Sequence, residues 1–224
     1  MSKMRTKSKV KMFYSIFLKG MFAMGLSACS SIIPQENLPE YVTVSSHKEY
    51  NSILKTPAKD LNFPLSVDDK RDIKILEAKY DVEENCAGLA APQIGIAKKI
   101  IVFAAEDSEE LRKWRPDFTQ YMPKTIWINP TYEGINQATH DDYEGCFSVK
   151  DIAGLVKRHQ KIHYHAFTPE GKEVSGEAEG FLARIIQHEV DHVRGVLFVD
   201  IAYPDSIKSV EYYRKKRDEA LVKK

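Results

Sequence analysis

The chain has 224 residues, 43% hydrophobic and 29% charged, which suits one globular domain with extensions and excludes a disordered segment. Lys and Arg total 33 against 32 Asp and Glu, so a net charge of +1 gives no general attraction to nucleic acid or an acidic membrane, and no direct nucleic-acid binding is expected. Cys29, Cys86 and Cys146 are far apart and odd in number, which argues against a disulfide framework and leaves each to be explained singly.

Lys3, Arg5, Lys7, Lys9 and Lys11 precede a mostly apolar stretch from Met12 to Ala28, short for a spanning helix and laid out like an export signal. It ends in Leu26, Ser27, Ala28 and Cys29, which resembles the bacterial lipoprotein processing motif, where the cysteine is lipidated and becomes a membrane anchor. Lys19 interrupts the apolar run, and Met4, Met12, Met21 and Met24 offer internal starts, so an uncleaved or untranslated extension explains the stretch as well. On either reading residues 1–46 lie outside the fold and residues 47–224 form the domain.

Val67 to Glu84 is charged, with Ile73, Ile75 and Leu76 spaced as on an amphipathic helix. After a turn at Gly95, Lys99 to Ala104 is a short apolar strand. Ala105 to Thr125 carries Pro116 and Pro123 and reads as a surface loop or short helix, and Thr125 to Asn129 as a strand stopped by Pro130. His159 to Thr168 and Lys172 to Ala178 flank a turn at Pro169 to Gly171 and predict a hairpin. A helix runs from about Gly180 to Arg194, with Gly195 as its cap, and Ser206 to Lys224 reads as a surface helix. The sum is an α+β domain: antiparallel strands wrapped around a central helix, with a C-terminal helix.

That central helix carries His188, Glu189, Val190, Asp191 and His192. Histidines four residues apart on a helix point the same way and can grip one metal, and the Glu between them lies where it can move the protons of a metal-bound water. Leu182, Ile185, Ile186 and Val193 recur at helical spacing, so the element is expected to be buried, where imidazoles and a carboxylate need strong partners. Phe181, Ile185 and His188, at i, i+4 and i+7, place two apolar side chains beside the metal. Candidates for the third ligand are Glu211, about twenty residues downstream as in a thermolysin-like endopeptidase, and Cys146, whose thiolate is a strong ligand. A metzincin is excluded, because Val196, Leu197, Phe198 and Val199 stand where its further histidine belongs.

Glu144 to Ser148, EGCFS, closely resembles the EGCLS motif of peptide deformylases, and Gln187 to Gly195, QHEVDHVRG, resembles their QHExDHLxG motif. Cys86 to Gln93, CAGLAAPQ, is similar to GxGLAAxQ, the third motif of that family. The resemblance covers roughly Lys48 to Lys224. It implies a metal-dependent hydrolase that removes the formyl group from the N-terminal formyl-methionine of newly made polypeptides, acting as a monomer on chains at the ribosome. It makes Cys146, His188 and His192 the metal ligands, Glu189 the general acid and base, and Gln93 with the Phe147 N–H the oxyanion donors. Gly88, Phe147, Phe181 and Ile185 are the expected substrate contacts, the last three as a methionine side-chain pocket. The implied metal is ferrous iron, although the ligand types also suit zinc, nickel or cobalt.

Cys86 replaces a Gly of the first motif, Phe147 a Leu and Lys150 a common Pro, and Ala153 stands near the place of a frequent basic residue. These departures bear on substrate preference and rate, and leave open a deformylase-like protein that binds peptides without turnover. The activity favours the cytoplasm, whereas Leu26 to Cys29 points to a membrane-anchored lipoprotein.

Overall fold

The computed structural model describes residues 33–44 and 52–222; Leu26 to Cys29, and with them the lipoprotein reading, lie outside the described residues. The elements are α1 (Ser52–Lys55), α2 (Val67–Val82), β1 (Gly88–Ala90), β2 (Ile100–Ala105), α3 (Glu109–Trp114), β3 (Met122–Gly134), β4 (Thr139–Cys146), β5 (Val149–His159), β6 (Lys161–Phe167), β7 (Glu173–Glu179), α4 (Gly180–Val193), α5 (Phe198–Ile201), β8 (Lys208–Ser209) and α6 (Val210–Val222). A five-stranded sheet has the order β1-β2-β3-β6-β7 and a three-stranded one the order β4-β5-β8, with all pairs antiparallel.

The apolar run of β2 is explained by burial on both sides, with successive side chains pointing to opposite faces. Ile101, Phe103 and Ala105 join Trp127 and Ile162 in a core with Leu182, Ile185, Ile186, Val190 and Val193 of α4. Ile100 and Val102 face a second core with Ile73 and Leu76 of α2. Helix α4 packs against β1, β2, β3, β5, β6 and β7, so it is the central helix of an α+β fold, as expected. Gly195 follows it at φ +78°, a conformation that suits glycine.

Three expectations change. Strand β3 is not stopped by Pro130 but runs on to Gly134, because the register shifts between Ile128 and Thr131 and Asn129 takes φ +51°. Pro130 therefore sits at a bulge, where its missing N–H interrupts no regular ladder. The hairpin β4–β5 is new, since the polar sequence of β4 hides it. Finally, the domain does not begin at residue 47. The Val42 and Val44 N–H groups donate to the Gln93 and Ser148 carbonyls, both at 2.8 Å, which ties residues 33–44 to the rest of the described domain. Among the described residues no helix is long and apolar enough to cross a membrane.

Helix α2 starts with a reciprocal cap between Ser66 and Asp69. Hydrogen bonds from Lys98 and Ser66 hold the Asp69 carboxyl down to about 2 from its usual 3.8. A depressed carboxylate stabilises the fold above its unfolded pKa and loses that contribution as pH falls through the folded one. Asp69→Asn is thus expected to lower the urea midpoint at pH 7, by an amount that shrinks below pH 4 and vanishes near pH 2. Urea titrations of both proteins across that range check it.

Candidate active site

His188 and His192 project from one face of α4 with ring centroids 4.7 Å apart and nearly perpendicular planes. Cys146 ends β4, just before the Phe147–Ser148 turn into β5. The ligand atoms of the three residues all lie within 4.8 Å of one another, and the two Nε2 atoms are 3.2 Å apart. Two nitrogens about 2.0–2.1 Å from a tetrahedral ion stand roughly 3.3 Å from each other, so this pair fits one ion. The donor set of one thiolate and two imidazoles suits a first-row divalent metal.

Glu189 is buried between the two histidines in sequence, and its Oε2 has no hydrogen-bond partner among the described residues. An orphaned carboxylate oxygen beside three ligands is where a reacting water belongs. Burial pushes its carboxyl up to about 7, against the pull of His188 and with the help of Glu144. Gly88 lies against this carboxylate: a Cβ there would come within 2.5 Å of Glu189 Oε1, which is why that position carries none. Gln93 is buried on the 3-10 turn Ala91–Ile94, and its Oε1 accepts from the Ala90 N–H at 2.9 Å, leaving Nε2 to donate.

Sequence reasoning gave no role to Glu144, Arg158, Arg184 and Asp191, which together hold the site. Glu144 Oε2 binds His188 Nδ1 at 2.9 Å and Arg158 Nη2 at 2.8 Å, while Oε1 accepts from Arg158 Nε at 2.9 Å and Arg184 Nη1 at 2.7 Å. Arg158 also pairs with Asp191, which accepts from the Tyr132 hydroxyl at 3.2 Å. Burial opposes the Glu144 charge, but the hydrogen bonds from His188 and Arg158 outweigh it and hold the carboxyl well below the usual range. The signal available was the presence of Glu144 and Asp191 inside the motifs; Arg158 had none.

The expected side-chain pocket is only partly assembled. A cavity of about 1180 Å³ opens beside Cys86, Ala87, Glu144, Gly145 and Phe181. Phe181 lines it, with the Arg115 guanidinium 4.3 Å from its ring centre. Ile185 is buried in the core of α4 instead, and Phe147 stacks on Tyr41 at 4.8 Å against the other core. The ring of Phe147 thus does not join the other two, because the β4–β5 turn points it across the second core. Among the departures, Lys150 is exposed, Ala153 lines the cavity and the Cys86 thiol donates to the Gly88 carbonyl at 3.1 Å. Burial pushes that thiol up, with the Glu189 charge adding to the effect. Glu211 is exposed at the start of α6 and is not part of the Cys146, His188 and His192 cluster.

The sequence model of the family described as polypeptide deformylase matches residues 43–207. Peptide deformylase 2 of Rickettsia conorii is 55% identical over 188 residues, covering 83% of this chain and 93% of that protein. The Met-Ala-Ser-bound crystal structure of a class I type b peptide deformylase from Acinetobacter baumannii is similar at a TM-score of 0.62 and 30% identity, over 73% of this chain and 98% of that one. The peptide deformylase of Thermotoga maritima is similar at a TM-score of 0.59 and 27% identity, over 75% and 99%.

Removing the Glu144 charge leaves the His188 ring without its anchor and two buried guanidiniums short of a partner. Glu144→Gln is therefore expected to weaken metal binding roughly 10- to 100-fold and to lower the thermal midpoint as well. Chelator competition and a melting curve of the metal-free protein measure the two effects separately.

Proposed function

The chain belongs to the polypeptide deformylase family, a group of metal-dependent hydrolases that remove the N-formyl group of newly made proteins, and we propose how its residues divide that reaction. Cys146, His188 and His192 are the ligands and Glu189 is the general acid and base. The reading rests on one observation: these three ligand atoms lie within 4.8 Å of one another, two of them on the helix turn that carries the buried Glu189 carboxylate with its unpaired oxygen.

When bound, the metal supplies a Lewis acid that polarises the formyl carbonyl and acidifies a water. Glu189, whose carboxyl burial pushes up, accepts the proton of the attacking water and returns it to the departing amine nitrogen, so that formate leaves. Gln93 Nε2 and the Phe147 N–H donate to the formyl oxygen as it gains charge. Glu144 keeps the Nδ1 of His188 engaged, which would leave Nε2 as the nitrogen that holds a metal. The substrate lies along the cavity beside Gly145, with Phe181 and its Arg115 cover as the surface met by the first side chain.

We assign ferrous iron as the native metal from the family resemblance; zinc, nickel and cobalt also suit the ligands. The substrates are formyl-methionyl polypeptides emerging from the ribosome, which places the work in the cytoplasm and makes a monomer sufficient. A lipid on Cys29 would instead tether the same site to a membrane.

Metal-loaded wild type is expected to release formate from formyl-Met-Ala-Ser; none would favour peptide binding without turnover. Glu189→Gln should keep its metal and lose turnover on the order of a thousandfold, since one residue handles both proton transfers. Cys146→Ala should lose the metal itself. Elemental analysis beside the formate assay separates the two, and full occupancy in Cys146→Ala would overturn the ligand set.

A further inference from the structure

Gln93 and Phe147 sit on parts of the fold that no shared ladder connects. Gln93 is on a 3-10 turn after β1, at the edge of the large sheet, and Phe147 is in the turn between β4 and β5 of the small one. Two donors that stabilise one oxygen must nevertheless keep a fixed separation, because a misplacement of about 1 Å can cost on the order of a hundredfold in rate.

One segment touches both. The Val42 N–H donates to the Gln93 carbonyl and the Val44 N–H to the Ser148 carbonyl, each at 2.8 Å. Positions two apart in an extended chain point their N–H groups the same way, so a single short stretch can bond both turns. Tyr41, just before it, lays its ring on Phe147 at a centroid distance of 4.8 Å and 8° between planes, and the Lys79 ammonium is 4.4 Å from the Tyr41 ring centre. Val42 also reaches Gly95, the left-handed residue that ends the Gln93 turn, where an added Cβ would lie 3.8 Å from Val42 Cγ2.

We propose that residues 41–44 are a strap that positions the oxyanion donors, tying the Gln93 turn to the Phe147 turn from outside the three sequence motifs. The proposal rests on the reading of Gln93 and the Phe147 N–H as those donors. Tyr41 acts through its ring, which lies stacked on Phe147. Val42 acts through its backbone N–H, which a proline lacks.

The test uses the full chain, metal-loaded, with formyl-Met-Ala-Ser, and reads kcat and KM separately beside metal content and the thermal midpoint. Tyr41→Ala and Val42→Pro are expected to lower kcat roughly ten- to a hundredfold with KM and metal content little changed. Tyr41→Phe should restore wild-type kcat. In a Gln93→Ala background Val42→Pro should add much less than it does alone, because the step it supports has already been removed. Unchanged kcat in Tyr41→Ala overturns the strap, and so does an equal loss in Tyr41→Phe, which would put the hydroxyl to direct use. Loss of metal together with activity overturns it too, by pointing to general damage. If Val42→Pro does not fold, the contrast between Tyr41→Ala and Tyr41→Phe decides alone. Gln93→Ala with full kcat sinks the donor reading itself, whereas an impaired Gln93→Ala beside a normal Tyr41→Ala sinks only the strap.

Discussion

The buried charge of Glu144 is the constraint on which the site depends. The three candidate metal ligands come from two places in the fold, Cys146 at the end of β4 and His188 and His192 on α4. Glu144 stands two residues before Cys146 and binds His188, Arg158 and Arg184 at once. Hydrophobic packing between β4–β5 and α4 is non-directional and tolerates sliding, whereas a bidentate carboxylate–guanidinium pair does not. A buried ion cluster is weak evidence for net stability, since the cost of desolvating its charges is of the same order as what their attraction returns. Its physical contribution here is orientation: it fixes the hairpin on the helix so that a thiol and two imidazoles converge.

The same logic explains the small residues of the first motif. Leu89, Ala90 and Ala91 are fully buried between the two cores, and Gly88 meets the Glu189 carboxylate at a distance that admits no side chain. A carboxyl with a pKa raised by burial needs walls that exclude water on most sides and an opening on one. Gly88 gives a wall of backbone, and the unpaired Oε2 of Glu189 marks the remaining need for a partner. Cys86, in place of a glycine, has room because its thiol turns back onto the Gly88 carbonyl.

How legible each part was in the sequence follows from how it is stabilised. Helix α4 and the β6–β7 hairpin announced themselves, because one buries an apolar stripe and the other is closed by Pro169, Glu170 and Gly171. The convergence of Cys146, His188 and His192 was legible because metal chemistry fixes residue type and spacing. Strands β4 and β5 were not, because β4 buries Glu144 as an ion pair, and no hydrophobic alternation marks it. Pro130 misled because a bulge at Asn129 accommodates it, and nothing local encodes that bulge. The segment at 41–44 was assigned to the leader since it precedes every motif; the contacts that tie it to the site, with Gln93, Phe147 and Ser148, are long-range. Phe147 was grouped with Phe181 and Ile185 by nearness to ligands along the chain, which is not nearness in space.

The two histidines, alike in the motif, are held in different ways. His188 has Nδ1 on the Glu144 carboxylate at 2.9 Å, which sets that nitrogen as donor, and its Nε2 lies 3.2 Å from His192 Nε2. His192 is the more deeply buried of the two, and its Nδ1 has no partner among the described residues. Burial pulls its pKa well below the ordinary histidine value, with the charge of His188 adding to the effect. At His188 burial acts in the same direction but is outweighed by Cys146 and Glu144, which raise the pKa well above it. A carboxylate partner makes an imidazole a stronger electron donor, and an unpartnered ring lacks that enhancement. A metal held by these three residues would thus meet a thiolate, one imidazole strengthened from behind by the Glu144 carboxylate and one imidazole that is not.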